Sequence, residues 1–253
     1  MVSIITPTYN CGGFIEKAIR SVVSQTYKDW EMIIVDDCST DDTVNIVHGY
    51  SLNDSRIRFF SNDTNSGAAV SRNRALREAK GEWIAFLDGD DIWLPTKLEK
   101  QLEFMQKNNY AFSYHEYEEI DEKSIASGLK VSGPRHITKR GMYNYCWPGC
   151  LTVMYNRSVI GLIQIPDIKK NNDYSIWLRA IKKADCYLCS QTLACYRRRV
   201  GSISNIGYAH LVKWHFRMFR IVEKQNIVIA TLNTIRNIFF GCIKKVLYVQ
   251  SIK

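Results

Sequence analysis

The feature that most restricts the fold is an alternation of short apolar runs with helical patterns over the first 110 residues. The apolar runs, which are typical of buried strands, cover residues 2–9, 30–35, 56–60 and 83–87. After the first run, apolar residues recur at the steps of three and four that mark one face of a helix. Strands that alternate with helices of about ten or more residues predict an α/β domain with a mainly parallel sheet covered by helices on both faces.

Three of the apolar runs lead directly into residues able to contact a ligand. Tyr9 and Asn10 end the first run, Asp36 and Asp37 follow the second, and a turn at residues 88–91 follows the fourth. Open parallel sheets bind their ligands at the carboxyl ends of the strands. We therefore expect one binding site at that edge, formed by all three segments.

The turn at residues 88–91 reads Asp-Gly-Asp-Asp and holds three carboxylates. A bound cation offsets the repulsion between such charges, and hard oxygen ligands suit Mg²⁺ or Mn²⁺. The alternative is a solvated acidic turn before the helix that follows Pro95, because short acidic motifs of this kind often arise by chance.

Four segments in order extend this pattern: TPTYN at residues 6–10, VDDCSTD at 35–41, NSGAAVSRNRAL at 65–76 and FLDGDDIWLP at 86–95. Together they resemble the family 2 glycosyltransferases of the GT-A fold, strongly over the first 110 residues and more weakly to about residue 204. The resemblance implies a Rossmann-like, mainly parallel sheet flanked by helices. It also implies an inverting transferase that uses a nucleotide-sugar donor and a divalent cation, Mn²⁺ or Mg²⁺.

At the nucleotide end, the resemblance carries donor-binding roles to Pro7, Tyr9, Asp36 and Asp37. Tyr9 would stack on the base, Asp37 would accept a hydrogen bond from the base N3–H, and Asp36 would shape this end of the site. Uracil and thymine possess that imide N–H and cytosine lacks it, and a UDP-sugar is the expected donor. A core tyrosine and helix-capping aspartates are the alternatives.

At the diphosphate end, the resemblance makes Asp90 the metal ligand and Asp88 a ribose or metal contact, while Asp91 stays unassigned. The metal would stabilise the charge that grows on the leaving nucleoside diphosphate. Arg72 falls where the family often has an arginine near the donor phosphates, a role that suits a bidentate guanidinium. Its alternative is an arginine on the surface of a helix.

The candidate general base is Asp173. Residues 171–179 resemble the acidic pair, aromatic residue and W-L-R run of the family, with Asn172 in place of the first acid. By this resemblance Asp173 deprotonates the acceptor hydroxyl. A helix N-cap is the alternative for the same residue. A neutral Asn172 also removes a like charge that would raise the pKa of Asp173.

Two residues are weaker candidates for contacts with the acceptor or the diphosphate. Residues 196–204 resemble the Y-R-x-H-x-x-S-x-S segment of the family, with Arg199 where a His is common. A permanent cation at this position could still hold the diphosphate. Trp147 lies in a stretch expected to be irregular, residues 121–149, where its ring packs either on an acceptor sugar or in the core.

The net charge of +9 belongs mostly to the C-terminal end. Residues 205–253 contain eight basic residues against Glu223 alone, a net charge of +7 that leaves +2 for the first 204 residues. Nucleic-acid enzymes usually have basic clefts, whereas the first 204 residues are close to neutral, so no nucleic acid partner is expected. In residues 227–249 an apolar stripe at helical spacing accompanies Arg236, Lys244 and Lys245, and these charges argue against a membrane-spanning helix. Such a helix either lies on an anionic membrane surface or packs its apolar face on the sheet.

These patterns divide the chain into a nucleotide-sugar-binding half at residues 1–110, an acceptor-binding and catalytic half at 111–204 and a basic helical tail at 205–253. Cysteine spacing and the absence of a leader pattern favour the cytoplasm, with or without peripheral binding at the inner face of the plasma membrane. The expected function is transfer of one hexose from a UDP-sugar to a glycan, such as a lipid-diphosphate-linked O-antigen or capsule repeat unit. A sugar nucleotidyltransferase and a catalytically inactive nucleotide-sugar-binding protein are the alternatives.

Overall fold

The structure is a computed structural model that describes residues 1–199 and 208–252, apart from the side chains of 208–210. Its strands are β1 (Val2–Thr8), β2 (Trp30–Asp36), β3 (Ile57–Ser61), β4 (Trp83–Phe86), β5 (Ile92–Trp93), β6 (Phe112–Ile120), β7 (Ala126–Val131), β8 (His136–Ile137), β9 (Met154–Asn156), β10 (Cys186–Arg197) and β11 (Val249–Ser251). Its helices are α1 (Ile15–Val23), α2 (Thr43–Asn53), α3 (Ala68–Glu78), α4 (Lys97–Asn108), α5 (Lys139–Asn144), α6 (Arg157–Ile160), α7 (Asn172–Ala180), α8 (Tyr208–Ile221) and α9 (Ile227–Leu247), with a 3-10 turn at Cys150–Thr152.

The strands form one sheet in the order β11-β7-β6-β9-β4-β1-β2-β3, and β10 pairs with β6, β5 and β8. β1 lies parallel to β2 and β4, and β2 lies parallel to β3, which confirms the expected parallel arrangement for the first half of the chain. β9, β7 and β11 join antiparallel to their neighbours, so the complete sheet is mixed. A short turn at residues 121–125 allows this for β6 and β7, because parallel neighbours need a long crossover.

The sheet separates two cores. Successive residues of β1 point to opposite faces, so Ile5 packs in one core and Ile4 in the other. Trp177 of α7 packs edge-on against Phe86 at the carboxyl end of β4, with ring centroids 5.0 Å apart. This contact places the first turn of α7 beside the acidic turn that follows β4.

The expectation of an irregular stretch at residues 121–149 is wrong, because this stretch contains β7, β8 and α5. β7 forms by pairing with β6 and with β11, which lies more than a hundred residues later. Strand formation here depends on distant partners, so the local hydrophobic pattern carries little signal for it.

The predicted helical tail is present as α8 and α9, and α9 packs against α5. The apolar stripe of α9, defined here as Val228, Leu232, Ile235, Phe239 and Val246, is exposed. The residues of α9 buried against the domain are instead small or polar: Ala230, Asn233, Thr234 and Asn237. The alternative in which the apolar face packs on the sheet is therefore wrong.

By length and composition alone, α9 is long and apolar enough to cross a membrane, and it is the one such helix in the described ranges. The charges at Arg236, Lys244 and Lys245 therefore do not exclude it on those criteria, contrary to the expectation from sequence. In the structure, however, its small and polar face lies along the domain.

Candidate active site

A cavity of about 520 Å³ opens beside the carboxyl end of β4. Its walls come from α3, the turn after β4, the first turn of α7, the end of β10, and helices α8 and α9. The charged groups among its lining residues include Arg72, Asp88, Asp91, Asp173 and Lys244. The fold therefore joins two of the sequence-predicted segments, the acidic turn and the start of α7, around one space.

The nucleotide end of the predicted site lies outside the walls of this cavity, at the ends of β1 and β2. Tyr9 is 47% exposed, so its ring is free to stack on a base. Asp37 is buried and accepts hydrogen bonds from the Asn62 side-chain amide at 2.8 Å and from the backbone N–H groups of Ser66 at 2.9 Å and Gly67 at 2.6 Å. A carboxylate has about four lone-pair sites, so the carboxylate can accept one more hydrogen bond from a base N–H.

Asp36 and Pro7 are both buried behind this end. The carboxylate of Asp36 accepts hydrogen bonds from the Ser39 backbone N–H at 2.9 Å and from its hydroxyl at 2.5 Å. Pro7 lies within β1 beside Val35 of β2. These two residues therefore shape the loop and the strand ends, and their side chains do not present an open surface to a donor.

The loops after β1 and β2 are joined by hydrogen bonds that the sequence analysis did not assign. The side-chain oxygen of Asn10 accepts from the Thr40 N–H at 2.9 Å, and the Asp41 carboxylate accepts from the Gly12 N–H at 2.8 Å. Asn10 holds a positive φ of 47°, which Asn tolerates better than most residues. The Ser39-Thr40-Asp41 run was a sequence signal for these bonds, because Ser, Thr and Asp commonly form caps and turns.

Arg72 is 5% exposed in α3, so the alternative of a surface arginine is wrong. Its guanidinium contacts the side-chain oxygens of Asp88 and Asn172, and lies 3.5 Å from the sulfur of Cys150. Burial disfavours its charge, but the nearby negative groups, Asp88 first among them, outweigh burial and raise the pKa of Arg72. Arg72 therefore connects the acidic turn to the first turn of α7 as a permanent cation.

Asp90 points toward a different cation. Its Oδ2 lies 2.9 Å from Nε of Arg199 in an ion pair. Burial and the negative charge of Asp88 raise the pKa of Asp90, and Arg199 lowers it by less. Residues 200–204 of the predicted Y-R-x-H-x-x-S-x-S segment lie outside the residues that the structure describes.

Asp91 is almost fully buried, and its Oδ1 accepts a hydrogen bond from the backbone N–H of Arg197 at 2.8 Å. The side chain of Arg197 in turn donates to the backbone oxygen of Asp90 at 2.7 Å. Burial, followed by the charges of Asp90 and Asp88, raises the pKa of Asp91 well above its ordinary value. Asp91 therefore fastens the end of β10 to the acidic turn.

Asp88 and Asp90, the other two carboxylates of the acidic turn, fit a divalent cation. No cluster of three or more His, Cys, Asp or Glu side chains placed to hold a metal ion occurs in residues 1–199 and 208–252. One or two carboxylates suffice for Mg²⁺ when substrate phosphates supply further oxygen ligands. The side chains of Asp88 and Asp90 are 32% and 18% exposed, so a cation can reach them. Burial and, after it, the negative charge of Asp88 raise the pKa of Asp90, and a bound cation would relieve this repulsion.

Asp173 lies in the first turn of α7, after the N-cap residue Asn171, and lines the cavity. Its Oδ1 accepts a hydrogen bond from the Tyr174 N–H at 2.8 Å. Burial raises the pKa of Asp173, and Arg72 only partly offsets this. The neutral Asn172 was expected to lessen the pressure that raises this pKa, but burial raises it, and the negative charge of Asp88 adds a smaller increase.

Trp147 does not line the cavity. The ring is 5% exposed, its Nε1–H donates to the Gly141 backbone oxygen at 3.0 Å, and it packs edge-on against Phe240 of α9 and the adjacent Tyr248. Of the two roles expected for Trp147, the structure supports core packing. The contacts with α9 cover the ring of Trp147, so this ring does not take the acceptor role considered for it.

The C-terminal helices supply cavity residues that local sequence patterns did not indicate. Trp214 and His215 of α8, and Asn237, Gly241 and Lys244 of α9, line part of the cavity. The ammonium of Lys244 donates to the Trp147 backbone oxygen at 3.0 Å, and burial lowers its pKa. The sequence spacing of these α8 and α9 residues is that of an ordinary helix, so only the packing of the two helices shows that they line the cavity.

A family model described as glycosyl transferase family 2 matches residues 3–155, which is more than half of the chain. The protein belongs to glycosyltransferase family 2. This confirms both the resemblance carried by the four sequence segments and the expectation that the protein is a glycosyltransferase. The matched region contains β1 to β9 and therefore the acidic turn, whereas Asp173 and Arg199 lie beyond it.

Two bacterial relatives resemble this family 2 glycosyltransferase over most of their length. It is 41% identical over 232 residues to TuaG of Bacillus subtilis, named for teichuronic acid biosynthesis, which covers 91% of this chain and 92% of that protein. It is 41% identical over 217 residues to WfgD of Escherichia coli, which covers 83% and 82%. WfgD is named a UDP-Glc:alpha-D-GlcNAc-diphosphoundecaprenol beta-1,3-glucosyltransferase.

Two solved structures share its fold. S. aureus TarS in complex with UDP-GlcNAc matches with a TM-score of 0.73 at 21% identity, over 92% of this chain and 72% of that one. The mannosyltransferase PcManGT from Pyrobaculum calidifontis, in complex with GDP-Man and Mn²⁺, matches with a TM-score of 0.65 at 15% identity, over 96% and 75%. At these identities the likeness shows the fold, and it confirms the expected GT-A-like architecture.

Proposed function

We propose that this glycosyltransferase moves one hexose from a UDP-sugar to a lipid-diphosphate-linked sugar and inverts the anomeric centre. The observation that carries the proposal is the position of Asp173, a carboxylate with a raised pKa that shares one cavity with Arg72 and Asp88. A proton acceptor and groups suited to a diphosphate then face the same space. A direct displacement needs that arrangement.

In the proposed reaction, the acceptor oxygen bonds to the anomeric carbon while the bond from that carbon to the β-phosphate oxygen breaks. The hydroxyl proton passes to Asp173, and the electron pair of the broken bond leaves with UDP. A carboxylate with a raised pKa is the better proton acceptor near neutral pH. Arg72 is the protein cation best placed to stabilise negative charge beside Asp88.

The donor is proposed to bind along the line from Tyr9 to Asp88. Tyr9 and Asp37 hold the uracil base by stacking and by a hydrogen bond from its N3–H. Asp88 and Asp90 would hold Mn²⁺ or Mg²⁺, which when bound offsets charge on the diphosphate. The Mn²⁺ in the PcManGT structure and the UDP-GlcNAc in the TarS structure support a cation and a UDP-sugar.

The acceptor class is proposed from WfgD, whose name specifies a sugar on diphosphoundecaprenol. In this chain α8 and α9 form part of the cavity wall, and Lys244 lies in that part. A cation there suits the diphosphate of such an acceptor. An acceptor of this class places the enzyme in the cytoplasm, bound peripherally at the inner face of the plasma membrane, where O-antigen or capsule repeat units would be built.

The test is UDP release from a panel of UDP-hexoses, with and without a diphosphate-linked acceptor sugar, in Mn²⁺ and in chelator. We expect acceptor-dependent release that chelator abolishes, and a product with inverted configuration by NMR. Asp173→Asn should remove transfer while UDP binding persists. Asp167→Asn, at an exposed position outside the cavity, is the matched control and should keep full activity.

Other products would identify the alternatives. Release of inorganic diphosphate from UTP and a sugar 1-phosphate, with no UDP released in the donor panel, would make the protein a sugar nucleotidyltransferase. Binding of UDP-sugars without turnover of any acceptor in the panel would make it an inactive nucleotide-sugar-binding protein. Retention of the donor's anomeric configuration would contradict the role given to Asp173.

A further inference from the structure

Helix α9 is inverted relative to an ordinary surface helix. Soluble helices place their apolar stripe against the core and their polar face in water. In α9 the apolar stripe points outward, with Phe239 62% and Val246 79% exposed, while Asn233, Thr234 and Asn237 are buried. An exposed apolar patch of this length on a soluble protein marks a surface that contacts another apolar phase.

Hydrogen bonds fix this orientation. The side-chain amide of Asn237 donates to the Tyr174 hydroxyl at 2.9 Å, and that of Asn233 donates to the Gln225 side chain at 2.9 Å. Rolling the apolar stripe inward would break both hydrogen bonds and turn apolar side chains toward the Tyr174 hydroxyl. The outward position of the stripe is therefore built into the fold.

Basic side chains border the stripe on both sides. Within α9, Arg236 follows the stripe residue Ile235 and Lys245 precedes the stripe residue Val246, so the two lie at opposite borders of the stripe. A shallow groove of about 540 Å³ runs along the Arg236 border and includes Lys139 and Arg140 of α5. Helix α8 and the turn after it add further exposed basic residues: Lys213, Arg217, Arg220 and Lys224.

The acidic residue of this region does not cancel the charge. Glu223 is 3% exposed in its side chain, and it is paired with Lys182 at 2.6 Å and with the Tyr143 hydroxyl. The exposed surface around the stripe is therefore apolar at its centre and positive at its edges. A second copy of the chain would bring the same positive edges together, whereas anionic lipid headgroups complement them.

We propose that α9 docks in the plane of an anionic bilayer, with its apolar stripe among the acyl chains and its basic borders on the headgroups. The opposite face of the same helix, at Asn237, Gly241 and Lys244, lines the catalytic cavity. One helix thus separates the lipid phase from the reaction site. The docking surface stands on its own observations, and only its use for a lipid-linked acceptor rests on the proposed function.

The experiment is co-sedimentation of the 253-residue chain with phosphatidylglycerol and phosphatidylcholine vesicles at low and high salt. We expect binding to the anionic vesicles that salt weakens, and little binding to the neutral ones. Leu232→Glu with Phe239→Glu should reduce anionic-vesicle binding roughly tenfold or more. Val159→Glu, at an exposed apolar residue away from α9, is the matched control and should bind as the wild type does.

A second pair of measurements separates docking from catalysis. Circular dichroism and thermal melting should show that the Leu232→Glu, Phe239→Glu variant is folded. Its transfer to a short-chain, water-soluble acceptor should be unchanged, while transfer to a long-chain acceptor in vesicles should fall. If the wild-type protein transfers sugar to neither acceptor, the proposed function is overturned, whereas the vesicle-binding result still stands.

Three outcomes would overturn the docking proposal. They are equal binding to anionic and neutral vesicles, absence of binding to either, and an unchanged vesicle affinity in the folded Leu232→Glu, Phe239→Glu variant. Analytical ultracentrifugation tests the other possible occupant of the stripe, which is a second copy of the chain. A wild-type dimer that this variant dissociates would assign the stripe to a second copy of the chain.

Discussion

The guanidinium of Arg199 forms an ion pair with the carboxylate of Asp90, with Nε 2.9 Å from Oδ2. Asp90 is also the residue to which family resemblance gives the metal. A divalent cation and Arg199 therefore compete for one carboxylate, unless Arg199 moves away when the cation binds. The end of β10, fastened by Asp91 to the acidic turn, holds Arg199 near this position.

Replacing Arg199 should strengthen metal binding to the nucleotide-free protein. In Arg199→Ala the competing cation is lost, so we expect Mn²⁺ to bind roughly three- to tenfold more tightly, a modest gain because the pair is partly exposed to solvent. Calorimetric titration or Mn²⁺ electron paramagnetic resonance measures it. Arg56→Ala, which breaks the distant ion pair to Asp54, is the control. Unchanged or weaker Mn²⁺ binding in Arg199→Ala would contradict the competition.

Removing the charge of Asp90 should lower turnover without lowering the stability of the fold. We expect Asp90→Asn to lower turnover by about a hundredfold or more, because a ligand of the cation is lost. Burial and Asp88 already raise the pKa of Asp90, so loss of its charge relieves repulsion and the melting temperature should not fall. Turnover is measured by UDP release, with Asp167→Asn as control. Wild-type turnover that persists in chelator would contradict the metal role.

The pH dependence of transfer should report Asp173. Burial raises the pKa of Asp173, so kcat/KM should fall as pH decreases through a value above the ordinary 3.8. Arg72 lowers this pKa, and Arg72→Gln should therefore shift the acidic limb to higher pH, whatever its effect on the maximum rate. The measurement is a pH profile of kcat/KM with a soluble acceptor. A limb that stays in place in Arg72→Gln would contradict the coupling.

The same pKa predicts a stability change in Asp173→Asn. An acid whose folded pKa is raised favours the native state below its unfolded pKa and loses this contribution as pH rises through the folded value. At neutral pH the Asn variant should therefore be more stable than the wild type, by about 1 kcal/mol or less because the side chain is half-buried. Urea denaturation at pH 7.5 should show the gain, and it should vanish near pH 4 if the assignment is right.

A stabilising substitution is expected at Lys97, on the side of the sheet away from the cavity. Lys97 is fully buried with its Nζ 3.8 Å from the Trp93 ring, and the described residues provide no hydrogen-bond acceptor for it. Burial lowers the pKa of Lys97 well below its ordinary 10.5. Lys97→Met keeps an unbranched side chain, one heavy atom shorter, and should raise the free energy of unfolding by about 1–3 kcal/mol at pH 7.

The gain from Lys97→Met should depend on pH in a defined direction. The cost of the buried amine is largest below its folded pKa and disappears above the unfolded value, so the gain should shrink as pH rises toward 10.5. Denaturant unfolding at several pH values measures it. Lys100→Met, at a half-exposed position on the same helix, should change stability little at any pH. A loss of stability in Lys97→Met would contradict the assignment.

Much of the first half of the fold was predictable because its signals are local. The continuous apolar runs of β1, β2 and β4 and the 3.6-residue spacing of α1 are visible in a short window of the chain. The carboxyl ends of parallel strands meet at one edge, so Tyr9, Asp37 and the acidic turn could be grouped from sequence. The family was recognisable from the same residues.

The sequence by itself therefore determined β1 to β4 and α1 to α4 within the first 110 residues, the edge at which the candidate site lies and the presence of α9. Only the tertiary structure decided that Arg72 is buried between Asp88 and Asn172, that Trp147 packs on α9, and that Asp91 fastens β10. It also decided which face of α9 points outward, through the bond of Asn237 to Tyr174, 63 residues away. Such outcomes depend on partners far apart along the chain, and a polar residue on a helix gives no local sign of whether water or a buried hydroxyl will satisfy it.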